Sequence, residues 1–88
     1  MLETTYSGKF RKDYRLMLKQ GKDMSRLLDV VELLKRGIPL DEKYQDHPLH
    51  GKYEGRRECH IKPDWLLIYQ KTETHIILRR TGSHSDLL

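Results

Sequence analysis

The run Trp65-Leu66-Leu67-Ile68-Tyr69 constrains this chain more than any other stretch. Consecutive bulky apolar residues cannot alternate between a core and water, so as a strand the segment has to be covered at least partly on both faces. A chain of 88 residues builds one small domain with a single modest core, so the cover must come from the chain itself. The first half has the complementary pattern. Ser7 can cap a helix in which Phe10, Tyr14, Met17 and Leu18 recur at helical spacing until Gly21. Asp23 offers a second cap, and Met24, Leu27, Leu28, Val31 and Leu34 form an apolar stripe that Gly37 and Pro39 end. The spacing therefore predicts two antiparallel helices joined around Gly21-Lys22-Asp23, with apolar faces that need a sheet.

The rest of the sheet is written around the apolar run. Tyr53 to Ile61 reads as a strand, Lys62-Pro63-Asp64 as a turn, Trp65 to Gln70 as a central strand, Thr72-Glu73-Thr74 as a second turn, and His75 to Arg80 as a final strand. Leu2 to Tyr6 suits a short strand ahead of the helices, and Leu40 to Lys52 is a polar linker long enough to carry function. The expected fold is α+β: a short N-terminal strand, then two antiparallel helices packed on a twisted antiparallel sheet completed by a C-terminal three-strand meander. Residues 1–88 are expected to form this single domain.

Charged residues make up 34% of the chain and apolar ones only 36%, yet the apolar residues fall in organised runs, which separates this chain from a disordered one. The net charge of +4 is concentrated at the front. Between Ser7 and Lys22, the six residues Lys9, Arg11, Lys12, Arg15, Lys19 and Lys22 face the single acid Asp13. A helix with that surface attracts a polyanion or an acidic protein over long range, although the same pattern also fits an ordinary solvated face. The lone Cys59 offers neither an internal disulfide nor a thiolate zinc site, and fits a small buried apolar side chain in a reducing cytosol. No apolar run approaches the ~18 residues of a membrane span, and the N-terminus turns polar at once, so neither insertion nor export is expected.

Chemistry concentrates in the second half. The chain's five histidines lie in or beside three stretches: Asp46-His47-Pro48-Leu49-His50, Glu58-Cys59-His60-Ile61-Lys62-Pro63-Asp64-Trp65, and His75 to His84 with Arg79-Arg80-Thr81-Gly82-Ser83. Strand ends and loops on a rigid scaffold are where reactive side chains are displayed, and imidazole takes and gives protons near neutrality. An acid/base site is the reading these residues favour. Singly, His60 fits a strand position, Asp64 a turn, His84 a chain-end residue and Trp65 a core side chain. His50 and His75 read as surface residues, and Tyr53 and Tyr69 as strand packing. No compact ligand spacing such as His-Glu-x-x-His occurs, so neither a metal nor another cofactor is expected.

Taken in order, Asp46-His47-Pro48-Leu49, Glu58-Cys59-His60-Ile61-Lys62-Pro63-Asp64-Trp65-Leu66-Leu67-Ile68-Tyr69 and Arg80-Thr81-Gly82-Ser83-His84-Ser85-Asp86-Leu87 resemble the YafQ-type toxins of the RelE/ParE superfamily over nearly the whole chain. The resemblance implies a RelE-like fold and a cytoplasmic bacterial type II toxin that cuts messenger RNA in the ribosomal A site. It implies a toxin monomeric alone, held inactive in a hetero-oligomer by an acidic or amphipathic segment of a cognate antitoxin. Carried over residue by residue, the catalytic set is His47, His60, Asp64, His84 and Arg80. His84 is then expected as general acid, Asp64 or His60 as base or its orienting group, Arg80 as phosphate clamp, and His47 as an aid to positioning or proton transfer. Lys9, Arg11, Lys12, Arg15 and Lys19, with Trp65, are expected to contact RNA or ribosome. The expected products are a 2′,3′-cyclic phosphate and a 5′-hydroxyl. Relatives often carry an aromatic residue where this chain has Leu88, and leucine has no π face to stack on a base. Two alternatives stand beside this reading: a ParE-like gyrase poison, which lacks such a histidine set, and a non-catalytic nucleic-acid or antitoxin-binding module.

Overall fold

The computed structural model describes residues 1–87; Leu88 lies outside the described residues. Strand β1 (Glu3–Tyr6) leads into helices α1 (Gly8–Lys19) and α2 (Ser25–Lys35), followed by a two-residue strand β2 (His47–Pro48), strands β3 (Arg57–Lys62), β4 (Trp65–Lys71) and β5 (His75–Gly82), and a closing turn of helix α3 (His84–Leu87). The five strands form one sheet in the order β1-β5-β4-β3-β2. The meander β3-β4-β5 is antiparallel, but β1 lies parallel to β5, with Glu3 opposite His75 and Tyr6 opposite Leu78. The sheet is thus mixed rather than antiparallel throughout. No tight hairpin joins β1 to β5, so their relative direction is set by the helices between them.

Both helices form where the periodicity places them. The Ser7 hydroxyl accepts the Phe10 amide at 3.0 Å and caps α1. Asp23 instead accepts the amide of Ser25 at 3.0 Å, two residues on, and α2 starts after the buried Met24. Phe10 and Met17 are buried in α1, and Leu27, Val30, Val31 and Leu34 in α2. Leu18 and Leu28, assigned from sequence to those stripes, are about half exposed, because each sits one position, roughly 100°, round from a buried neighbour. No described helix is long and apolar enough to cross a membrane.

The third strand starts later than the sequence suggests. Gly55 takes a left-handed φ of +87°, which ends any extended run from Tyr53 and leaves that tyrosine in a 3-10 turn (Gly51–Tyr53). Its hydroxyl reaches the Leu87 carbonyl at 3.2 Å and ties down α3.

Residues facing each other across a ladder share a face of the sheet. Cys59, Leu67, Tyr69, Ile76 and Leu78 join the buried residues of α1 and α2 in the main core. Burial pushes the Cys59 thiol up to about 12, which leaves it an inert packing group. The opposite face carries a smaller cluster, Leu66, Ile68 and Leu87, with Leu49 against it. The apolar run of β4 is therefore covered on both sides, as its composition requires. Around this smaller cluster the polar residues of the second half gather.

Candidate active site

Two rows of opposed residues lay out this face. His47, Glu58, Ile68 and Arg80 face one another across β2, β3, β4 and β5, and His60, Leu66 and Gly82 form the next row. Arg80 belongs here because of a bulge. The β4–β5 register shifts between Ile68 and Tyr69, so Arg80 falls opposite Ile68 while Leu78 stays opposite Tyr69. Without the extra residue, Arg80 would keep the parity of Ile76 and Leu78 and point to the main core.

The imidazoles converge on this surface. The ring centroids of His47 and His60 are 6.5 Å apart and those of His60 and His84 5.7 Å. His47 Nδ1 donates to the Gln45 carbonyl at 2.6 Å, and its Nε2 lies 3.7 Å from Glu58 Oε1. A carbonyl can only accept, so the proton on Nδ1 is fixed and Nε2 is the working nitrogen. Gln45 itself adopts a left-handed φ of +49°, turning the chain into β2. Asp46 braces the same turn, accepting from the Tyr69 hydroxyl at 2.7 Å and from Arg57 at 3.4 Å. Burial, and then the Asp46 carboxylate, raise the Tyr69 hydroxyl well above its ordinary pKa, so it stays a donor. Tyr69 thus packs the core and holds the strand that carries His47.

His84 and Asp64 form a second pair. The His84 amide and its Nδ1 both donate to Asp64 Oδ1, each at 3.2 Å, across the mouth of the β3–β4 turn. The backbone hydrogen bond from His84 first, and its ring second, hold the Asp64 carboxyl below the ordinary 3.8. A carboxylate that weakly basic orients an imidazole better than it abstracts a proton near neutrality. Because its folded value is depressed, the contact it makes is fully present above the unfolded value and is lost as pH falls through the folded one. A carbon-detected titration should place the Asp64 midpoint below 3.8. A midpoint at or above that value would remove the pairing.

Glu58 was not singled out as a functional residue from the sequence. It is 4% exposed, and one of its oxygens lies within 4.8 Å of a nitrogen of both His60 and His84. His60 Nδ1 is buried without a hydrogen-bond partner among the described residues, which leaves it uncommitted. Glu58, His60 and His84 also make a three-donor set of the types that bind divalent transition metals. Glu58 and His60 come from one strand, β3, and His84 from α3, 24 positions further on, so no compact ligand spacing in the sequence announces the set.

The remaining expected residues divide. Arg80 lies at the edge of the face, its Nε and Nη2 donating to Asp13 of α1 at 2.7 and 3.2 Å. The hydrogen bond to Asp13 raises the guanidinium's pKa, so it is charged throughout. Lys9, Arg11, Lys12, Arg15 and Lys19 are exposed on α1, and Lys9, Lys12, Arg15 and Lys19 line a 490 Å³ groove with Asp13 and Arg80. Trp65 does not join them. It is 3% exposed and donates its indole N–H to the Thr81 hydroxyl at 2.9 Å, so its ring is not presented to a base. Its place at the start of a strand buried on both faces accounts for this.

Comparison with known proteins agrees with this geometry. A family model described as a bacterial toxin of type II toxin–antitoxin systems, YafQ, matches residues 2–88. The mRNA interferase toxin YafQ of Escherichia coli K12 is 43% identical over 83 residues, covering 93% of this chain and 90% of the relative. The toxin in the E. coli DinJ–YafQ toxin–antitoxin complex superposes with a TM-score of 0.92 at 41% identity, over 99% of this chain and 97% of that one. A metal-bound toxin from Helicobacter pylori superposes with a TM-score of 0.93 at 47% identity over the whole of both chains. The matched length, the shared fold and the histidine face together show that this chain belongs to the YafQ family of bacterial type II toxins.

Proposed function

We propose that the chain is an mRNA interferase that cuts messenger RNA in the ribosomal A site by acid/base catalysis, without a required metal, in the bacterial cytoplasm. The observation that carries this reading is the convergence of His47, Glu58, His60 and His84 on one open face, with Arg80 at its edge and a basic helix beside it. With Asp64 committed to His84, His60 is the candidate base. It takes the proton of the ribose 2′-hydroxyl as that oxygen bonds to phosphorus. The negative charge that builds on the phosphoryl oxygens is met by Arg80 and by protonated imidazole. His84 gives a proton to the departing 5′-oxygen as the old bond breaks, leaving a 2′,3′-cyclic phosphate and a 5′-hydroxyl. Glu58 places its carboxyl group among the imidazoles, and Asp64 aims His84. A metal held by Glu58, His60 and His84 would occupy nitrogens these proton transfers use.

His47 and His84 are about half exposed, which leaves the face open to a strand presented from outside. The α1 lysines and arginines would dock on ribosomal RNA phosphates and let the ribosome present its message. Primer extension on an mRNA, with and without ribosomes, using toxin first stripped with EDTA and then freed of the chelator, tests this. Cuts that need ribosomes and His84 and are made by the stripped toxin are expected. Cleavage lost on stripping and restored by a transition metal would sink the metal-free mechanism, and intact message on toxin-bound ribosomes would sink the activity.

The antitoxin partner fits a second surface. Tyr6, Phe10, Tyr14, Leu28 and Val31 line a groove between α1 and α2 that Arg11 and Arg15 flank. An amphipathic antitoxin helix with acids at its margin would place apolar side chains there and pair with the arginines. Leu28 is 51% exposed, so Leu28→Asp should leave folding intact and weaken antitoxin binding about tenfold or more, as loss of an anchoring contact does. Unchanged affinity by calorimetry would place the antitoxin elsewhere.

A further inference from the structure

Asp13 is an acid in the middle of a helix whose other charges suit a polyanion, so it weakens the field of the surface it belongs to. Its contacts give it another part. Strand β1 ends at Tyr6, opposite Leu78, but β5 runs on to Gly82 without a strand neighbour on that side. The start of α1 supplies partners instead. Ser7 gives its amide to the Leu78 carbonyl at 2.9 Å and its hydroxyl to the Arg79 carbonyl at 2.7 Å, and the Thr81 amide donates to Asp13 Oδ2 at 3.1 Å. The same carboxylate takes Nε and Nη2 of Arg80. It therefore grips both the backbone and the guanidinium of the bulged end of β5.

We propose that Asp13 is the positioning residue for Arg80: it fixes the guanidinium at the edge of the histidine face and ties it to the RNA-docking helix. A free arginine would sample many rotamers, whereas a two-point clamp on Nε and Nη2 sets the plane of the group. Nη1, which makes no hydrogen bond among the described residues, is left for a phosphate oxygen. Engagement of α1 with RNA then carries Arg80 along as one rigid piece. This rests on the proposed interferase activity.

Asp13→Asn is the clean test, because the amide oxygen can still accept from Thr81 while the ion pair is lost. Ribosome-dependent kcat should fall about 10-fold, a coupling of ordinary size for contacting residues, while ribosome affinity does not fall. In an Arg80→Ala background the same substitution should cost nothing further. A rate unchanged or raised by Asp13→Asn, or an equal loss in both backgrounds, overturns the proposal. The position of Arg80 is read separately from its Nε–H resonance, expected as a slowly exchanging signal in the wild type and lost in Asp13→Ala, which removes the oxygen that Nε and the Thr81 amide share. A signal that persists in Asp13→Ala also overturns it. If the wild type itself cuts no message on ribosomes, the interferase reading fails, and the resonance still decides whether Asp13 holds Arg80.

Discussion

Replacing His84 by alanine should slow ribosome-dependent cleavage by about 10²-fold or more, the usual cost of removing one acid or base group. The leaving 5′-oxygen is a poor leaving group unless it is protonated as the bond breaks, and the proposed mechanism gives that step to His84. Its Nδ1 is engaged by Asp64, so Nε2 is the end free to carry the proton. The loss should fall on kcat. The side chain is half exposed and leaves the α1 surface untouched, so binding to ribosomes and thermal stability should both stay near wild type. The hydrogen bond from the His84 amide to Asp64 also survives the substitution, which keeps the turn and α3 joined. Single-turnover cleavage at saturating toxin, alongside sedimentation with ribosomes, separates the two effects. A loss of only two- or threefold, or one that follows ribosome binding, would move the acid to another group.

Trp65→Ala should destabilise the protein by about 3–5 kcal/mol, the range for deleting a large buried aromatic ring. The ring fills the main core where β4 begins, and its N–H satisfies the Thr81 hydroxyl, which in turn donates to the Leu66 carbonyl at 2.8 Å. Truncation opens a cavity and leaves the hydroxyl without its donor in a dry site. In a domain of this size, the same loss corresponds to a fall in Tm on the order of 15 °C. Urea unfolding monitored by circular dichroism would measure it. A variant with wild-type stability and weak ribosome binding would show instead that the indole serves as a stacking platform.

The contrast between His84 and Trp65 shows how far the sequence could be read. Patterns with a local cause were legible. The Ser7 cap follows from one side chain and the amide three residues on, and the burial of Trp65 to Tyr69 on two faces follows from a run that no half-exposed strand could carry. Leu18 and Leu28 were misassigned because a stripe read to within one position still leaves a residue about 100° out of line. The site needed longer-range information. Arg80 shares a face of the sheet with Glu58 and His47 through one bulge, which alternation along β5 cannot reveal. Glu58 reads as one of several charges in Arg56-Arg57-Glu58, and its burial is decided by β2, a two-residue strand with no strand signature. Asp13 meets Arg80 across 67 positions, and nothing in a basic helix marks its one acid as part of another element's scaffold. The family resemblance supplied the histidines and Asp64 because motifs carry residue identity. It supplied Trp65 along with them, and there burial governs instead.

The parallel pairing of β1 with β5 also bears on when the toxin becomes dangerous. That pairing joins segments 72 positions apart, as the Ser7–Arg79 hydrogen bond records. Closing so long a loop has a large entropic cost that is recovered only once the distant strand is present, which makes such a topology slow to form. During synthesis, α1 and α2 emerge first and display their apolar faces, while the strand that completes the sheet and carries Arg80 is still inside the ribosome making it. Until β5 and α3 emerge the histidine face lacks Arg80 and His84. The nascent chain therefore shows its helices to a partner before the residues of that face are all present.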